Sequence, residues 1–204
     1  MASAASIPKI QPLYCGTSHV CEWHHLPKFS RELFEDNKRF EMPQFFGESG
    51  GKINGQTVNT IRDRIQMIAP QPIVIVLIYG GNNVCDRQAP EHFFPFFEQL
   101  VNMAYEFENL HFIVCGLIPR PKTDAFTKSA FAKASTLLKN LCKRNHLKAT
   151  FLSTAKLFGE DGAILTEFYH ERSGSEVHMN EAGAKILAKA IFNAIRSIPK
   201  STFN

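Results

Sequence analysis

The stretch Pro72-Ile-Val-Ile-Val-Leu-Ile-Tyr79 decides the fold, because an unbroken apolar run of strand length begins at Ile73. Its β-branched residues favour a strand over a helix. A strand that is apolar on successive residues is typical of a parallel sheet with helices on both faces. The segment His111 to Ile118 (HFIVCGLI) has the same character. The sequence therefore predicts two buried, parallel strands at the centre of the molecule.

Weaker strand patterns and helical patterns alternate around these two strands. Further strands are predicted at Ile10 to Cys15, Met42 to Phe46 and Thr150 to Leu152. Apolar residues at helical spacing predict helices over Val58 to Ile68, over Phe131 to Leu141 with Lys143 and Arg144 at its end, and from Glu181 onward with Asn180 as N-cap. Five strands that alternate with five helices predict a flavodoxin-like, doubly wound α/β fold with three layers, α/β/α.

The composition limits the class of protein. The chain has 204 residues, of which 44% are hydrophobic and 21% charged, so we expect one globular domain over residues 1–204, with a flexible N-terminus over residues 1–8. Neither a secretory signal nor the roughly 18 apolar residues of a membrane span is found. Five cysteines without a secretory signal favour reduced thiols and a cytoplasmic location over a disulfide scaffold.

Residues that follow the predicted strands are the candidates for chemistry, because ligands of doubly wound sheets bind outside the carboxyl ends of the strands. Ser18 follows the first strand, where it is either a nucleophile or a helix N-cap. The segment Phe46-Gly-Glu-Ser-Gly-Gly-Lys52 is either a plain turn or a loop whose N–H groups, that of Gly50 included, hold an oxyanion.

Two more segments complete the set of candidates. Asn82, in Tyr79-Gly-Gly-Asn-Asn-Val84, either supplies a further hydrogen-bond donor or belongs to a turn. His178 precedes the last helix, where it is either a general base or a capping residue. None of these segments, taken singly, establishes a function.

The order of Ser18, Gly50, Asn82 and His178 resembles that of the SGNH (GDSL-like) hydrolase family, over nearly the whole chain. The matching blocks are Gly16-Thr-Ser18 for Gly-Asp-Ser, Gly47-Glu-Ser-Gly50 for the glycine block, Gly80-Gly-Asn-Asn83 for Gly-x-Asn-Asp, and Ser175-Glu-Val-His178 for Asp-x-x-His. The strand and proline turn Val114-Cys-Gly-Leu-Ile-Pro-Arg120 is also similar to a segment of compact family members.

The resemblance implies a serine esterase that acts on small acyl esters, lipid or acetyl, without a metal or cofactor. Ser18 would attack the ester carbonyl, with His178 as general base. The backbone N–H groups of Ser18 and Gly50 and the amide of Asn82 would form the oxyanion hole.

Three acidic residues of the family pattern are replaced in this sequence. Thr17 stands in the first block, Asn83 in the third, and Ser175 where the family has the Asp that orients the histidine. Ser175 itself, the neighbouring Glu176, Glu171 or a backbone carbonyl are the candidates to orient His178. Because the orienting acid fixes the histidine tautomer, its loss weakens the expectation of activity.

Three other patterns in the sequence allow a different interpretation. Gly47 to Gly51 also fits the nucleophile elbow of α/β-hydrolases, with Ser49 as nucleophile, but too few strands precede it. Five potential metal ligands lie close together in the sequence: Cys15, His19, Cys21, His24 and His25. They lack the paired spacing of a zinc site. Packing around the first helix, where Trp23 and Phe29 are expected to be buried, explains them instead. The aromatic cluster Phe93-Phe-Pro-Phe-Phe97 is either core or the lining of an acyl pocket or partner surface.

A non-catalytic domain that binds RNA or a protein partner is the alternative function. The net charge of +4 permits an acidic partner without requiring one. Such a domain would use the basic residues Arg120, Lys122, Lys128, Lys133, Lys139, Lys143, Arg144, Lys148, Lys185, Lys189 and Arg196. Acidic residues are scattered among them, so a solvated surface is the competing explanation.

Overall fold

The main sheet has five parallel strands. The computed structural model describes residues 8–21, 24–160, 163–170 and 178–203. In these ranges the sheet contains β1 (Gln11–Gly16), β2 (Gln44–Gly47), β3 (Ile73–Ile78), β4 (Leu110–Cys115) and β5 (Ala149–Leu152). The spatial order is β2-β1-β3-β4-β5, with every neighbouring pair parallel. This order confirms the predicted doubly wound, flavodoxin-like fold.

Helices cover both faces of the sheet. The described part of the chain forms α1 (His25–Phe34), α2 (Gly55–Ile68), α3 (Gly81–Cys85), α4 (Pro90–Met103), α5 (Ala125–Arg144) and α6 (Glu181–Ser197). Short 3₁₀ turns lie at Ser18–Val20, Thr166–Phe168 and Lys200–Phe203. The expectation of five helices was wrong, because the short helix α3 is a sixth. An antiparallel pair of two-residue strands, β6 (Gly159–Glu160) and β7 (Ala163–Ile164), was not predicted.

Strand β3 divides the interior into two cores, because its successive side chains point to opposite faces. Ile73, Ile75 and Leu77 belong to the core beneath α2, α4 and α5. Val74, Val76 and Ile78 belong to the core beneath α1 and α6. All six side chains are buried, so β3 contributes to both cores. This explains why the sequence of the strand is apolar at every position.

Side-chain caps fix where three of the helices begin. Asn54, Asp124 and Asn180 each accept a hydrogen bond from the backbone N–H three residues further on. Each bond satisfies a donor that the first turn of a helix leaves unpaired. The predicted N-cap Asn180 is thereby confirmed, and it fixes the start of α6 at Glu181, three residues after His178.

The two edge strands are shorter than the three central strands. β2 and β5 have four residues each, against six in β1, β3 and β4. On β2 the half-buried rings of Phe45 and Phe46 are covered by guanidinium groups, Arg31 at 4.9 Å and Arg64 at 4.3 Å from the respective ring centres. The exposed Ser49 follows this edge strand, which agrees with the rejection of a nucleophile elbow, since an elbow follows a central strand.

The order of the strands determines where the polar loops meet. β1 pairs with β2 on one side and with β3 on the other, so the chain winds in opposite directions from this point. The loops after β1, β2 and β3 therefore leave the same edge of the sheet side by side, which is the crevice where doubly wound proteins bind ligands. Ser18, Gly50 and Asn82 lie in these three loops.

Candidate active site

Ser18 and His178 are hydrogen-bonded to each other, although 160 positions separate them in the sequence: the Oγ to Nε2 distance is 3.0 Å. Ser18 is buried and opens the 3₁₀ turn after β1, whereas the expected long helix begins only at His25. Thr17 precedes it and is tied to β3 by a bond from its N–H to the carbonyl of Ile78, 3.1 Å. The serine is therefore held by backbone at the crevice between β1 and β3.

The glycine loop after β2 lies directly against the Ser18 segment. A side chain at Gly47 would put its Cβ about 2.5 Å from the carbonyl carbon of Val20, so only glycine allows the two backbones to approach. The N–H of Glu48 donates to the carbonyl of Gly16, 3.0 Å. Gly50 has φ of 71°, a left-handed conformation that favours glycine. Gly47 and Glu48 therefore hold the glycine loop against the segment that carries Ser18.

Asn82 and Asn83 follow β3 and serve the glycine loop in different ways. The Asn82 Nδ2 group donates to the carbonyl of Gly51, 3.0 Å. Asn83 is buried; its Oδ1 accepts from the N–H of Ile53 at 3.0 Å, and its Nδ2 donates to the carbonyl of Ile53 at 3.1 Å and to Gln88 Oε1 at 2.8 Å. A carboxylate could not donate these last two bonds, which explains how an amide replaces the family's acid here.

Arg120, one of the basic residues that an RNA-binding domain would use, lies with its guanidinium against Asn82. It lies in the loop after β4, and its guanidinium donates to Asn82 Oδ1 at 3.0 Å. A second N–H of the same group donates to the Cys85 sulfur at the end of α3, 2.6 Å. No local pattern reveals these contacts, because they join positions about 35 to 38 residues apart.

Imidazole rings crowd around His178. The ring centres of His24 and His19 lie 4.8 Å and 5.5 Å from its own. Burial, followed by the charges of Arg120 and His170, lowers the pKa of His178. Burial and the neighbouring imidazoles lower the pKa of His19 to about 3 and that of His24 to about 4. His178 is therefore neutral at pH 7 and able to accept a proton.

The side chains predicted to orient His178 lie outside the described residues. The candidates Ser175, Glu176 and Glu171 all fall in the segment 171–177, outside the described ranges, as does Trp23. Within the ranges that are described, no cluster of three or more His, Cys, Asp or Glu side chains is arranged to hold a metal ion. All five cysteines are free thiols.

The aromatic cluster of α4 belongs to the core. Phe93 and Phe97 are buried, and Phe94 and Phe96 pack against the same core from partly buried positions. The ring of Phe93 lies beneath Gly80, 3.3 Å from where a Cβ would stand. The interpretation of this cluster as core is confirmed, and it supports the turn that presents Asn82.

The basic residues form several ion pairs rather than an uninterrupted basic surface. Lys133 pairs with Glu91, Arg144 with Glu98 and Lys185 with Glu181. Exposed pairs of this kind contribute little to stability but neutralise charge locally. Among the helices of the described residues, none has both the length and the apolar character that crossing a bilayer requires.

Comparison with known proteins shows a likeness of structure rather than of sequence. No protein-family model matches the chain, and no curated protein matches its sequence. A member of the lipolytic G-D-S-L family from Veillonella parvula superposes with a TM-score of 0.71 at 15% identity, covering 92% of this chain and 99% of its own. An acetyl-xylooligosaccharide esterase from Geobacillus, in a mutant form, gives 0.71 at 15% identity over 93% and 95%.

A third solved structure agrees with these two. Est24, a carbohydrate acetylesterase from Sinorhizobium meliloti, superposes with a TM-score of 0.68 at 13% identity, covering 94% of this chain and all of its own. The chain therefore has the SGNH hydrolase fold, a three-layer α/β/α sandwich, as the resemblance implied. At these identities the likeness establishes the fold, and the roles of individual residues rest on the site.

Proposed function

We propose that this protein is a serine esterase that hydrolyses small acyl esters, with Ser18 as nucleophile and His178 as general base. The hydrogen bond between Ser18 Oγ and His178 Nε2, 3.0 Å long, carries the proposal. It joins a nucleophile to a neutral base at the crevice where proteins of this architecture bind ligands. The SGNH fold of the chain supports the same conclusion.

The reaction proceeds in two steps. Ser18 Oγ attacks the ester carbonyl carbon while its proton passes to His178 Nε2. The bond to the alcohol then breaks, and the imidazolium donates the proton to the departing oxygen. Water attacks the acyl-enzyme by the same route, with His178 again taking and returning the proton, so that the carboxylic acid leaves and Ser18 is regenerated.

The developing oxyanion is bound by three donors in this proposal. They are the backbone N–H groups of Ser18 and Gly50 and the Nδ2 group of Asn82. One hydrogen of Nδ2 is used on the carbonyl of Gly51, which leaves the second for the oxyanion. In a hydrolase, removal of one such donor costs about 3 kcal/mol of transition-state stabilisation.

The structural neighbours favour a short acyl group. Two of them are described as acetylesterases acting on carbohydrate or xylooligosaccharide esters. A cavity of about 450 Å³ opens beside the glycine loop. Polar side chains in its wall would suit the carbohydrate alcohol of such a substrate. Its wall includes the polar residues Glu48, Lys52, Gln56, Thr60 and Arg64. We therefore expect acetyl esters to be hydrolysed faster than butyryl esters.

Hydrolysis of p-nitrophenyl acetate and butyrate by the wild type and by Ser18→Ala tests the proposal. Ser49→Ala is the matched control, because this serine is exposed in the neighbouring loop and belongs to the rejected elbow motif. A fluorophosphonate probe with mass mapping identifies the labelled residue. We expect turnover and labelling to disappear in Ser18→Ala, with a loss of roughly 10⁴-fold or more, and to persist in Ser49→Ala. Labelling of another residue, or folded wild type without turnover, contradicts the proposal.

The RNA- or protein-binding alternative gains no specific support. Arg120 is directed at Asn82, and three of the basic side chains on helices are engaged in ion pairs. Tight binding to single-stranded RNA with affinity that falls steeply between 50 and 200 mM salt would revive it.

A further inference from the structure

We propose that Arg120 is a positioning residue of the oxyanion hole: its guanidinium fixes the orientation of the Asn82 amide and adds a positive charge beside the reacting atoms. The inference rests on the proposed esterase function and extends it to a residue outside the four family blocks. The observation behind it is the bond from Arg120 to Asn82 Oδ1, 3.0 Å.

The Asn82 amide is held from both ends. Its Nδ2 donates to the carbonyl of Gly51 at 3.0 Å, and its Oδ1 accepts from Arg120 at 3.0 Å. If the amide were flipped, its NH₂ group would face the guanidinium, donor against donor, and its oxygen would face the Gly51 carbonyl. Because a guanidinium has only donors, Arg120 allows one orientation, and that orientation keeps Nδ2 on the side of the glycine loop.

The position of Arg120 is itself fixed by the chain around it. The hydroxyl of buried Tyr169 donates to the carbonyl of Pro119, the residue before Arg120, at 2.5 Å. Tyr169 also forms a β-bridge with Met179, the residue after His178. The loop that carries Arg120 is therefore tied to the segment that carries the general base. At its tip the guanidinium contacts both Asn82 and Cys85, the second and last residues of α3.

The charge of Arg120 has two consequences for the chemistry. A cation that donates to Oδ1 polarises the amide, which strengthens the hydrogen bond that Nδ2 gives to an oxyanion. The same charge also lies near His178 and lowers the pKa of that imidazole. Among the causes of this shift it ranks second, below burial and above the charge of His170. The described groups that face His178 are Arg120, His170, His19 and His24, and each is neutral or positive.

The variants Arg120→Met and Arg120→Lys separate orientation from charge. Methionine removes both, whereas lysine keeps the charge and loses the planar fork. We expect kcat to fall about 10²-fold in Arg120→Met with little change in KM, since an oxyanion-hole donor is misplaced rather than substrate binding lost. Arg62→Met is the matched control, because Arg62 forms an exposed ion pair with Glu106 away from the site, and we expect it to keep full activity.

A double-mutant cycle with Asn82→Ala tests whether Arg120 acts through Asn82. We expect Arg120→Met to cost less than about threefold in kcat in the Asn82→Ala background, because the amide that it orients is already absent. An equal loss in both backgrounds, or a change below about twofold in the wild-type background, overturns the inference.

The pH profile gives a readout that a purely structural role would not move. His178 must be neutral to accept the proton, so its lowered pKa keeps the acid limb of kcat/KM at low pH. Removal of the Arg120 charge raises this pKa, and the limb moves to higher pH in Arg120→Met but not in Arg120→Lys. A limb that stays in place in Arg120→Met contradicts the charge effect.

NMR decides the inference even if the protein hydrolyses no ester. In the wild type we expect slowly exchanging Hδ2 protons on Asn82 and a His178 titration below that of an ordinary histidine. Arg120→Met should accelerate the exchange and raise the His178 titration, while Arg62→Met should change neither. Unchanged Asn82 exchange in Arg120→Met overturns the inference, whereas a wild type without Ser18-dependent turnover overturns only the proposed function.

Discussion

The loop that carries Ser18 and the segment before α6 that carries His178 meet in one hydrogen bond, but they are held by different interactions. On the side of Ser18, the proposed nucleophile, backbone groups dominate: Thr17 donates to Ile78, Glu48 donates to Gly16, and Gly47 lies against Val20 without room for a side chain. We call this the nucleophile side. The position of Ser18 therefore depends on close backbone packing, and the order of the strands determines which backbone segments meet there.

The side of His178, the proposed base, depends more on charge, and we call it the base side. His178 follows the β-bridge of Tyr169 with Met179, and imidazoles and the Arg120 guanidinium surround it. Burial, followed by the charges of Arg120 and His170, lowers the pKa of His178 and favours its neutral form. The difference indicates that substitutions on the nucleophile side should change kcat or stability, while those on the base side should also change the pH at which the protein works.

The largest effect is expected for His178→Ala, which removes the base and leaves the nucleophile side intact. Activity towards p-nitrophenyl acetate should fall by roughly 10⁴-fold or more, because Ser18 loses the acceptor for its proton. The double variant Ser18→Ala with His178→Ala should lose little more than either single variant, since the two residues act as a unit. Losses that multiply in the double variant would break the link between the two sides.

Asn82→Ala should give the next largest effect, from the nucleophile side alone. We expect kcat to fall by about 10²- to 10³-fold, because one oxyanion donor and the bond to the Gly51 carbonyl are lost. The acid limb of the pH profile should keep its position if the charge of Arg120 stays in place. The exposed Asn102→Ala on α4 is the control, and equal losses in the two variants would contradict the assignment.

Asn83→Asp, which restores the residue of the family pattern, should destabilise this protein. An aspartate can accept from the N–H of Ile53, but it cannot donate to the Ile53 carbonyl, and it faces Gln88 Oε1. We expect the free energy of unfolding to fall by roughly 1–3 kcal/mol, as for a buried acceptor left unpaired. Urea unfolding measures it beside Asn102→Asp on the surface, and an unchanged midpoint would show that the loop tolerates a carboxylate.

His170→Gln should give the smallest effect, confined to the base side. The charge of His170 lowers the His178 pKa less than burial and the charge of Arg120 do. Removal of His170 should therefore raise the His178 pKa by less than Arg120→Met does. The acid limb of kcat/KM therefore moves slightly to higher pH, with kcat on the plateau unchanged. The exposed His146→Gln is the control. A shift to lower pH would contradict the sign of this interaction.

The sequence predicted the sheet well because its strands are buried on both faces or end in recognisable loops. Four of the five strands lie within two residues of their predicted bounds, and α6 begins at the predicted cap. The exception is β4, which ends at Cys115, three residues before the predicted end at Ile118. The pair β6 and β7 was missed because two residues carry no periodicity. The turn at Ser18 was expected to open a helix, but the chain makes a 3₁₀ turn first and starts α1 at His25.

The sequence predicted those residues of the candidate site whose place follows from their position after a strand. It did not predict those that reach the site only through contacts between distant parts of the chain. Ser18 and His178 meet as the resemblance implied, although their catalytic roles stay a prediction. Arg120 could not be separated from other basic residues by pattern, because its partner Asn82 is reached only through the fold. The replacement of an acid by Asn83 also became intelligible only when both ends of its amide found partners on Ile53.

The short edges of the sheet have a consequence for the behaviour of the protein in concentrated solution. A long, flat, apolar edge strand is a template on which another molecule can add a strand and begin an aggregate. β2 offers only four residues, and Arg31 and Arg64 place charged groups over its two phenylalanines. An edge strand of this length, flanked by two positive charges, is a poor template for the addition of a strand from another molecule.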